Sequence, residues 1–367
     1  MTIPLKLVAA NDTVSALIAL ADALAGTQAV FITAPETNGL MPEVYGLPTQ
    51  VDDHIALIVE SSGSTGTPKR ITLSRDALLA SSAASDLALG GPGQWLLALP
   101  INYIAGINVL LRSLNADTQP VIMNTSVPFT PEAFAVSANF MTAERRYVSL
   151  VPTQLQRLVS ACAIDEFLLA KLRRFNAILL GGQATDPQLL KDSLALGLNI
   201  VLSYGMAETA GGVVYNGRPL SGVQVRLSSD GVLEIAGPTL AEGCGPWYRT
   251  SDLGQINENG RVSVIGRTNR VLISGGLKVS LDSIEAVVRQ IGGVVDVATI
   301  AVNNLEWGER AAVIYVGSPE VADYIAADVF DHLGPVAKPV RVIRVDAIPR
   351  LTSGKTDYVT LTQQFAG

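Results

Sequence analysis

His54 to Lys69 reads HIALIVESSGSTGTPK. Its first half is an apolar run of strand length; its second half crowds Ser, Thr and Gly residues ahead of a proline and a lysine. A strand that feeds such a loop is how an α/β layer begins, and the pattern recurs along the chain. Apolar runs at Trp95 to Leu99, Tyr147 to Val151, Ala177 to Leu180 and Asn199 to Ser203 alternate with amphipathic stretches. Two of those stretches, Pro152 to Cys162 and Pro187 to Leu196, open on a proline, which suits a first helical turn because its missing N–H would be unpaired there. A mostly parallel sheet is the economical reading.

After Gly205 the texture changes to short β-rich segments, Val223 to Leu227, Gly231 to Gly237 and Arg261 to Ile265, separated by Asp-Gly and Asn-Gly turns. Beyond Gly266 come a charged turn, the Ser274-Gly275-Gly276 loop, a helix over Leu281 to Gln290, strands, and a last helix near Pro319 to Val329. The expected architecture is α/β. Residues 1–266 form a large N-terminal domain of sheets layered with helices plus a β-rich subdomain, and residues 267–367 form a small α+β C-terminal domain. At the front, Thr13 to Leu24 reads as a helix capped by Asp12.

The 367 residues are 48% hydrophobic and 16% charged, yet no stretch reaches the roughly 18 unbroken apolar residues of a membrane span. The nearest candidate, Trp95 to Leu111, is interrupted by Pro100, Asn102, Gly106 and Asn108. No signal-peptide core is present, so the cytoplasm is the expected compartment. A net charge of −7 opposes broad attraction to nucleic acid while leaving small anions open. Cys162 and Cys244 are too far apart in sequence for a C-x-x-C site. Only His54 and His332 could serve a Ser-His-Asp triad, and no G-x-S-x-G elbow accompanies them.

Glycine-freed N–H groups and the hydroxyls of Ser62 to Thr67 would form an anion-binding concavity, with Lys69 adding a mobile positive charge. It is not a Walker A loop, because Lys69 follows Pro68 rather than glycine. Gly354-Lys355-Thr356 imitates the tail of such a loop but has Pro349 where the first glycine should be. Ser203 to Thr209, SYGMAET, follows a buried-type strand, and ligands bind at the carboxyl edge of a parallel sheet. Asp252, in WYRTSDLG, could accept hydrogen bonds from a ribose diol. Each of these also fits a blander role: a surface turn, a packed Tyr204, a solvated Glu208, a turn capped by Asp252, and an ordinary turn at Leu180 to Gln183.

Taken together and in this order, the pieces resemble the ANL superfamily of adenylate-forming enzymes. The resemblance covers most of the chain from residue 55 onward. Ser62, Gly63, Ser64, Thr65, Gly66, Thr67 and Lys69 look like its phosphate loop, and Tyr204 to Thr209 like its YGxTE segment, with Ala207 in place of Thr or Ser. The resemblance implies that Tyr204, beside Gly205, stacks on adenine, that Glu208 holds Mg²⁺ and that Thr209 contacts the AMP phosphate. It further implies that Gly181, Gly182 and Gln183 line the adenine side, and that Asp252 binds the ribose with Arg267 beside it. Gly266 to Gly276 resembles the family hinge, with Asn269 where Asp or Lys is usual, followed by a turn whose Gly275 and Gly276 would meet the thiol channel. PRLTSGK, Pro349 to Lys355, resembles the loop whose lysine enters the site for adenylation.

Within the superfamily, the short front, LPINYIAG at Leu99 to Gly106 and Tyr204 to Val225 look most like the compact actinobacterial o-succinylbenzoate–CoA ligases of menaquinone biosynthesis. The implied acyl pocket lies between Asn102, Tyr103 and Gly106 on one side and Ala210, Gly211 and Gly212 on the other. The implied reactants are a carboxylic acid, ATP with Mg²⁺, and coenzyme A. A homodimer is a family-level expectation. Another aryl- or acyl-CoA ligase, or an adenylation domain that loads a carrier protein, shares the first step.

Overall fold

A computed structural model describes residues 1–61, 69–351 and 355–366. The expected phosphate-loop residues Ser62 to Thr67 lie outside the described residues; Lys69 lies within them. The chain divides into two compact units. The first holds Met1–Thr185, Leu189–Val225 and Ile235–Tyr248; the second holds Asp186–Gln188, Arg226–Glu234 and Arg249–Gly367. The expected boundary after Gly266 falls inside the second unit.

The first unit is built on two sheets. In the larger, the strand order is Arg218–Pro219, Gly211–Tyr215, Ile200–Met206, Ala177–Leu180, Arg146–Leu150, Gln94–Leu97 and Val121–Ile122. From Ile200–Met206 onward every neighbouring pair is parallel, and only the Gly211–Tyr215 side is antiparallel. The parallel strands are apolar on both faces because helices cover them, as the alternation of the sequence implied. Helices Pro131–Ala138, Pro152–Cys162 and Glu166–Leu172 enclose a core with Leu96, Val148, Ile178 and Leu180 from the strands and Phe134, Leu155, Leu158 and Leu168 from the helices. Trp95 and Tyr147, both fully buried, stack with ring centroids 5.0 Å apart.

The second sheet was only partly legible. Its order is Gln50–Asp52, Thr2–Ala9, Ala29–Thr33, Ile55–Ser61 and Lys69–Ser74, and three of these strands precede residue 55. Pro4 and Lys6 weaken the first strand as a sequence pattern. Even so, Thr2–Ala9 pairs in parallel with Ala29–Thr33 and antiparallel with Gln50–Asp52, so tertiary pairing overrides local preference. Helix Thr13–Ala25 forms as expected. Asp12 accepts a hydrogen bond from the Ser15 N–H at 3.0 Å, and Ala16, Ala19, Leu20 and Ala23 supply the buried stripe.

In the second unit, strands Val271–Ser274, Leu277–Ser280, Val294–Asn304, Gly308–Gly317 and Arg341–Arg344 form a five-stranded sheet. Alternate residues of its long strands pack on opposite faces. Val297, Val313 and Tyr315 meet helices Leu281–Val288 and Ala322–Leu333. Ala298, Ile300, Ala312 and Ile314 meet Leu361 and Phe365 of helix Tyr358–Phe365. The helix expected near Pro319 begins as a 3₁₀ turn, Pro319–Val321, and the chain's last helix is Tyr358–Phe365. Four apolar residues in a short C-terminal stretch carry too little periodic signal to be read without the sheet they cover.

A smaller sheet, Gln224–Leu227, Val232–Ala236, Tyr248–Ile256 and Val262–Arg267, accounts for the β-rich segments read from the sequence. Among the described residues no helix is long and apolar enough to cross a membrane.

Candidate active site

The carboxyl edge of the large parallel sheet gathers most of the residues singled out in the first unit. Asn102 and Tyr103 follow strand Gln94–Leu97 and lead into helix Ile104–Asn115. Gly181, Gly182 and Gln183 follow Ala177–Leu180, and Ala207 to Gly212 follow Ile200–Met206. One edge of one sheet therefore carries three separate stretches, the arrangement in which parallel sheets bind ligands.

Tyr204 pairs with Val214 across the antiparallel neighbour, and the register slips by a bulge between Tyr204 and Gly205. A β-carbon on Gly205 would lie 1.9 Å from the Gly211 carbonyl oxygen, so the tight return of the chain needs a glycine there. A 3₁₀ turn, Ala207–Thr209, follows. The Thr209 hydroxyl is buried: it accepts from the Met206 N–H at 3.0 Å and lies 2.7 Å from the Gly211 carbonyl, to which it donates. Thr209 thus fixes the turn that presents Glu208. The Glu208 carboxylate stays 13% exposed, 4.0 Å from the Lys69 ammonium. Burial, reinforced by the negative charge of Glu208, pushes the Cys244 thiol pKa up.

Ala210 adopts left-handed backbone geometry, with φ of 52°. Two side chains hold its carbonyl in place: buried Ser81 donates at 2.9 Å and buried Asn108 at 3.0 Å. Neither was singled out from the sequence. In the sequence Asn108 reads as a polar break in an apolar run, and an amide on the inner face of a helix is the available signal. Gly106 is equally constrained, since a β-carbon would sit 2.2 Å from the Pro100 carbonyl oxygen.

In the second unit, Asp252 and Arg267 face each other on antiparallel strands, with the Arg267 guanidinium 3.1 Å from the carboxylate. The Asp252 side chain is 13% exposed and that of Arg267 47%. Asn269 lies exposed in a 3₁₀ turn, Thr268–Arg270. Gly275 and Gly276 both have positive φ at the tip between two strands, and the Trp307 ring packs against Gly275. Lys355 is exposed: the Leu351 N–H donates to its carbonyl at 2.8 Å, Arg350 bridges Thr356, and the Asp357 N–H donates to the Pro349 carbonyl at 2.9 Å.

One charged cluster went unread in the sequence. The Asp282 carboxylate accepts from the Arg267 N–H at 2.8 Å and from the Arg270 guanidinium. Buried Glu285 accepts from Arg270, from Arg289 at 2.9 Å, from the Thr299 N–H at 2.8 Å and from the Tyr358 hydroxyl at 3.0 Å. The Arg270 guanidinium lies 3.7 Å from the centroid of the Tyr358 ring. The i, i+3 spacing of Asp282 and Glu285 places both acids on one helix face and was the readable sign.

Comparison with known proteins identifies the family. Residues 6–240 match the AMP-binding enzyme family and residues 283–355 the AMP-binding enzyme C-terminal domain. The first match begins well before residue 55 and so takes in the front of the chain. A Mycobacterium tuberculosis protein named probable 2-succinylbenzoate–CoA ligase is 35% identical, over 98% of this chain and 97% of its own. Among solved structures, the amide bond synthetase McbA from Marinactinospora thermotolerans superposes with a TM-score of 0.78 at 20% identity, covering 99% of this chain and 90% of its own. The o-succinylbenzoate CoA synthetase MenE from Bacillus subtilis, in complex with its acyl-adenylate intermediate, gives 0.73 at 23% identity, covering 89% and 73%. At those identities the two structures speak for the fold alone. The chain belongs to the AMP-binding enzyme family, the adenylate-forming ANL superfamily.

Proposed function

We propose that the protein is an AMP-forming acid–thiol ligase that converts o-succinylbenzoate to o-succinylbenzoyl-CoA. The observation that carries this reading is the relative of that named activity, aligned along nearly the full length of both chains. A carboxylate is a poor acyl donor because oxide is a poor leaving group, so ATP must first activate it. The substrate carboxylate attacks the α-phosphorus, the bond to pyrophosphate breaks, and acyl-AMP forms. The CoA thiolate then attacks the acyl carbonyl and AMP leaves.

Charge builds on the phosphates during the first step, and groups that stabilise it more than they stabilise bound ATP accelerate it. In this reading Lys355 supplies a positive charge there, while Ser62 to Thr67 and Lys69 hold the leaving phosphates. Tyr204 stacks on adenine beside Gly181, Gly182 and Gln183, and Asp252, kept in place by Arg267, accepts from the ribose hydroxyls. Thr209 acts through the turn it fixes. Mg²⁺ would be held by Glu208 together with phosphate oxygens, since this ion is commonly bound by one or two carboxylates and the substrate. The partly exposed Glu208 carboxylate at a sheet edge fits that donor set. Bound there, the ion would supply charge neutralisation on the phosphates.

Asn102, Tyr103 and Gly106, with Ala210 to Gly212, border the acyl pocket in this reading. Residues 267–367 turn about Asn269 between the two steps, withdrawing Lys355 and bringing Gly275 and Gly276 to the thiol. A cytoplasmic homodimer completes the proposal.

Pyrophosphate release measured across a panel of carboxylic acids, with CoA as thiol, tests it. Turnover with o-succinylbenzoate and a CoA thioester product is the expected result. Turnover of another acid with no response to o-succinylbenzoate overturns the substrate, and a thioester formed only on a carrier protein overturns the acceptor.

A further inference from the structure

The described residues on either side of Lys355 are anchored in different ways. On the entering side Pro349 and Arg350 meet the chain again at Asp357 and Thr356, and Arg350 also bonds the Asp296 carboxylate. On the leaving side the chain runs straight into helix Tyr358–Phe365 through Asp357, which caps that helix. Tyr358, its first residue, does not simply pack: its hydroxyl lies 3.0 and 3.2 Å from the two oxygens of buried Glu285, and its ring carries the Arg270 guanidinium at 3.7 Å. Arg270 is the last residue of the turn that contains Asn269. Burial raises the pKa of the Tyr358 phenol, which keeps it a donor.

Glu285 is 2% exposed and accepts from four donors: Arg270, Arg289, the Thr299 N–H and Tyr358. Those bonds come from helix Leu281–Val288 and its extension, from strand Val294–Asn304, from the hinge turn and from the last helix. A buried carboxylate that accepts from three other elements resists their relative displacement, because a shift removes either an ion pair or a hydrogen bond from a group that has no water to replace it. The cluster therefore ties the turn at residues 268–270 to a point three residues beyond Lys355.

We propose that Tyr358 and Glu285 are positioning residues that tether the chain just beyond Lys355 to Arg270, so that the hinge turn and the adenylating lysine move as one piece. The proposal rests on the functional reading above and adds to it a place where position is set. An error of about 1 Å in a catalytic group can cost on the order of a hundredfold in rate. Loss of the tether should therefore reach the step that uses Lys355 and spare the step that does not.

The test separates the half-reactions, comparing wild type, Lys355→Ala, Tyr358→Phe and Tyr358→Leu. Acyl-AMP formation is followed by pyrophosphate release without CoA, and thioester formation by adding CoA to supplied acyl-AMP. Tyr358→Phe, which keeps the ring on Arg270 and loses only the hydroxyl, should slow acyl-AMP formation by about tenfold. Tyr358→Leu, which loses both contacts, should slow it by about a hundredfold. Thioester formation should stay within about twofold in both. A Tyr358→Phe enzyme unchanged in acyl-AMP formation, or slowed equally in both half-reactions, overturns the tether. If Lys355→Ala still shows its selective loss, the functional reading stands without it. A wild-type enzyme that makes no acyl-AMP from any acid brings down both. If Tyr358→Leu does not fold, Tyr358→Phe alone decides.

Discussion

Single side chains in this protein act mostly through what they hold in place. Asp252 is the clearest case of a group poised between structure and ligand: it has Arg267 at 3.1 Å, is largely shielded from solvent, and lies on a strand rather than a loop. Replacing it by asparagine keeps the shape and removes the charge. We expect Asp252→Asn to raise the KM for ATP by about tenfold or more, the worth of a hydrogen bond to a charged group. The effect on the melting temperature should be small, because the partner arginine is half exposed. Asp252, Tyr204 and Glu208 stand out in the sequence because each lies in a short run beside glycine or aromatic residues. Ser81 and Asn108 were not. They serve a carbonyl on Ala210, 129 and 102 residues away, and nothing local in either helix announces a distant backbone oxygen.

Elements carry their own signals where caps and periodicity agree. The Asp12 cap predicted from the sequence is present, and its removal should be measurable. Asp12→Ala should lower stability by about 1 kcal/mol in denaturant titration at neutral pH. Hydrogen bonds from the Ser15 side chain and backbone hold the Asp12 carboxyl below its ordinary pKa, and bonds from the backbone and side chain of Thr360 do the same for Asp357. A carboxylate with a lowered folded-state pKa stabilises the fold above its unfolded value, about 4, and that contribution disappears as pH falls through the lower folded value. The difference between wild type and Asp12→Ala should accordingly shrink in melts taken from pH 5 down to about pH 2. A difference constant over that range would mean that the cap works by shape and not by charge.

Strands reveal a limit of the same kind. Ala177–Leu180 has the bounds read from its apolar run, whereas Thr2–Ala9, with Pro4 and Lys6, was passed over. The difference is that a strand buried on both faces advertises itself by composition. A strand held by pairing on both sides does so only through its partners.

At the scale of the molecule the chain forms two compact units, and the proposed pivot, Asn269, lies inside the second of them and not at its edge. Proline there would fix φ near −65° and remove an N–H, narrowing the conformations the turn can take. We expect Asn269→Pro to lower one half-reaction by about tenfold or more while sparing the other, measured with the same two assays. Equal loss in both would count against rotation at this residue. Two other whole-molecule features show only in part in the sequence: the front sheet, of which the strand from Ile55 is legible, and the acid pair Asp282–Glu285, whose spacing is legible but whose partners are remote along the chain.

The placement of the aromatic rings has an optical consequence. Trp95 is sealed in the first unit between Tyr147 and the Arg112 guanidinium, whereas Trp307, 37% exposed, rests on Gly275 in the second. Acrylamide should spare Trp95, leaving a blue-shifted residual emission, and quench Trp307 together with the partly buried Trp247 of the first unit. With Trp247 replaced by phenylalanine, intrinsic fluorescence can follow the glycine tip of the second unit in solution without an attached dye.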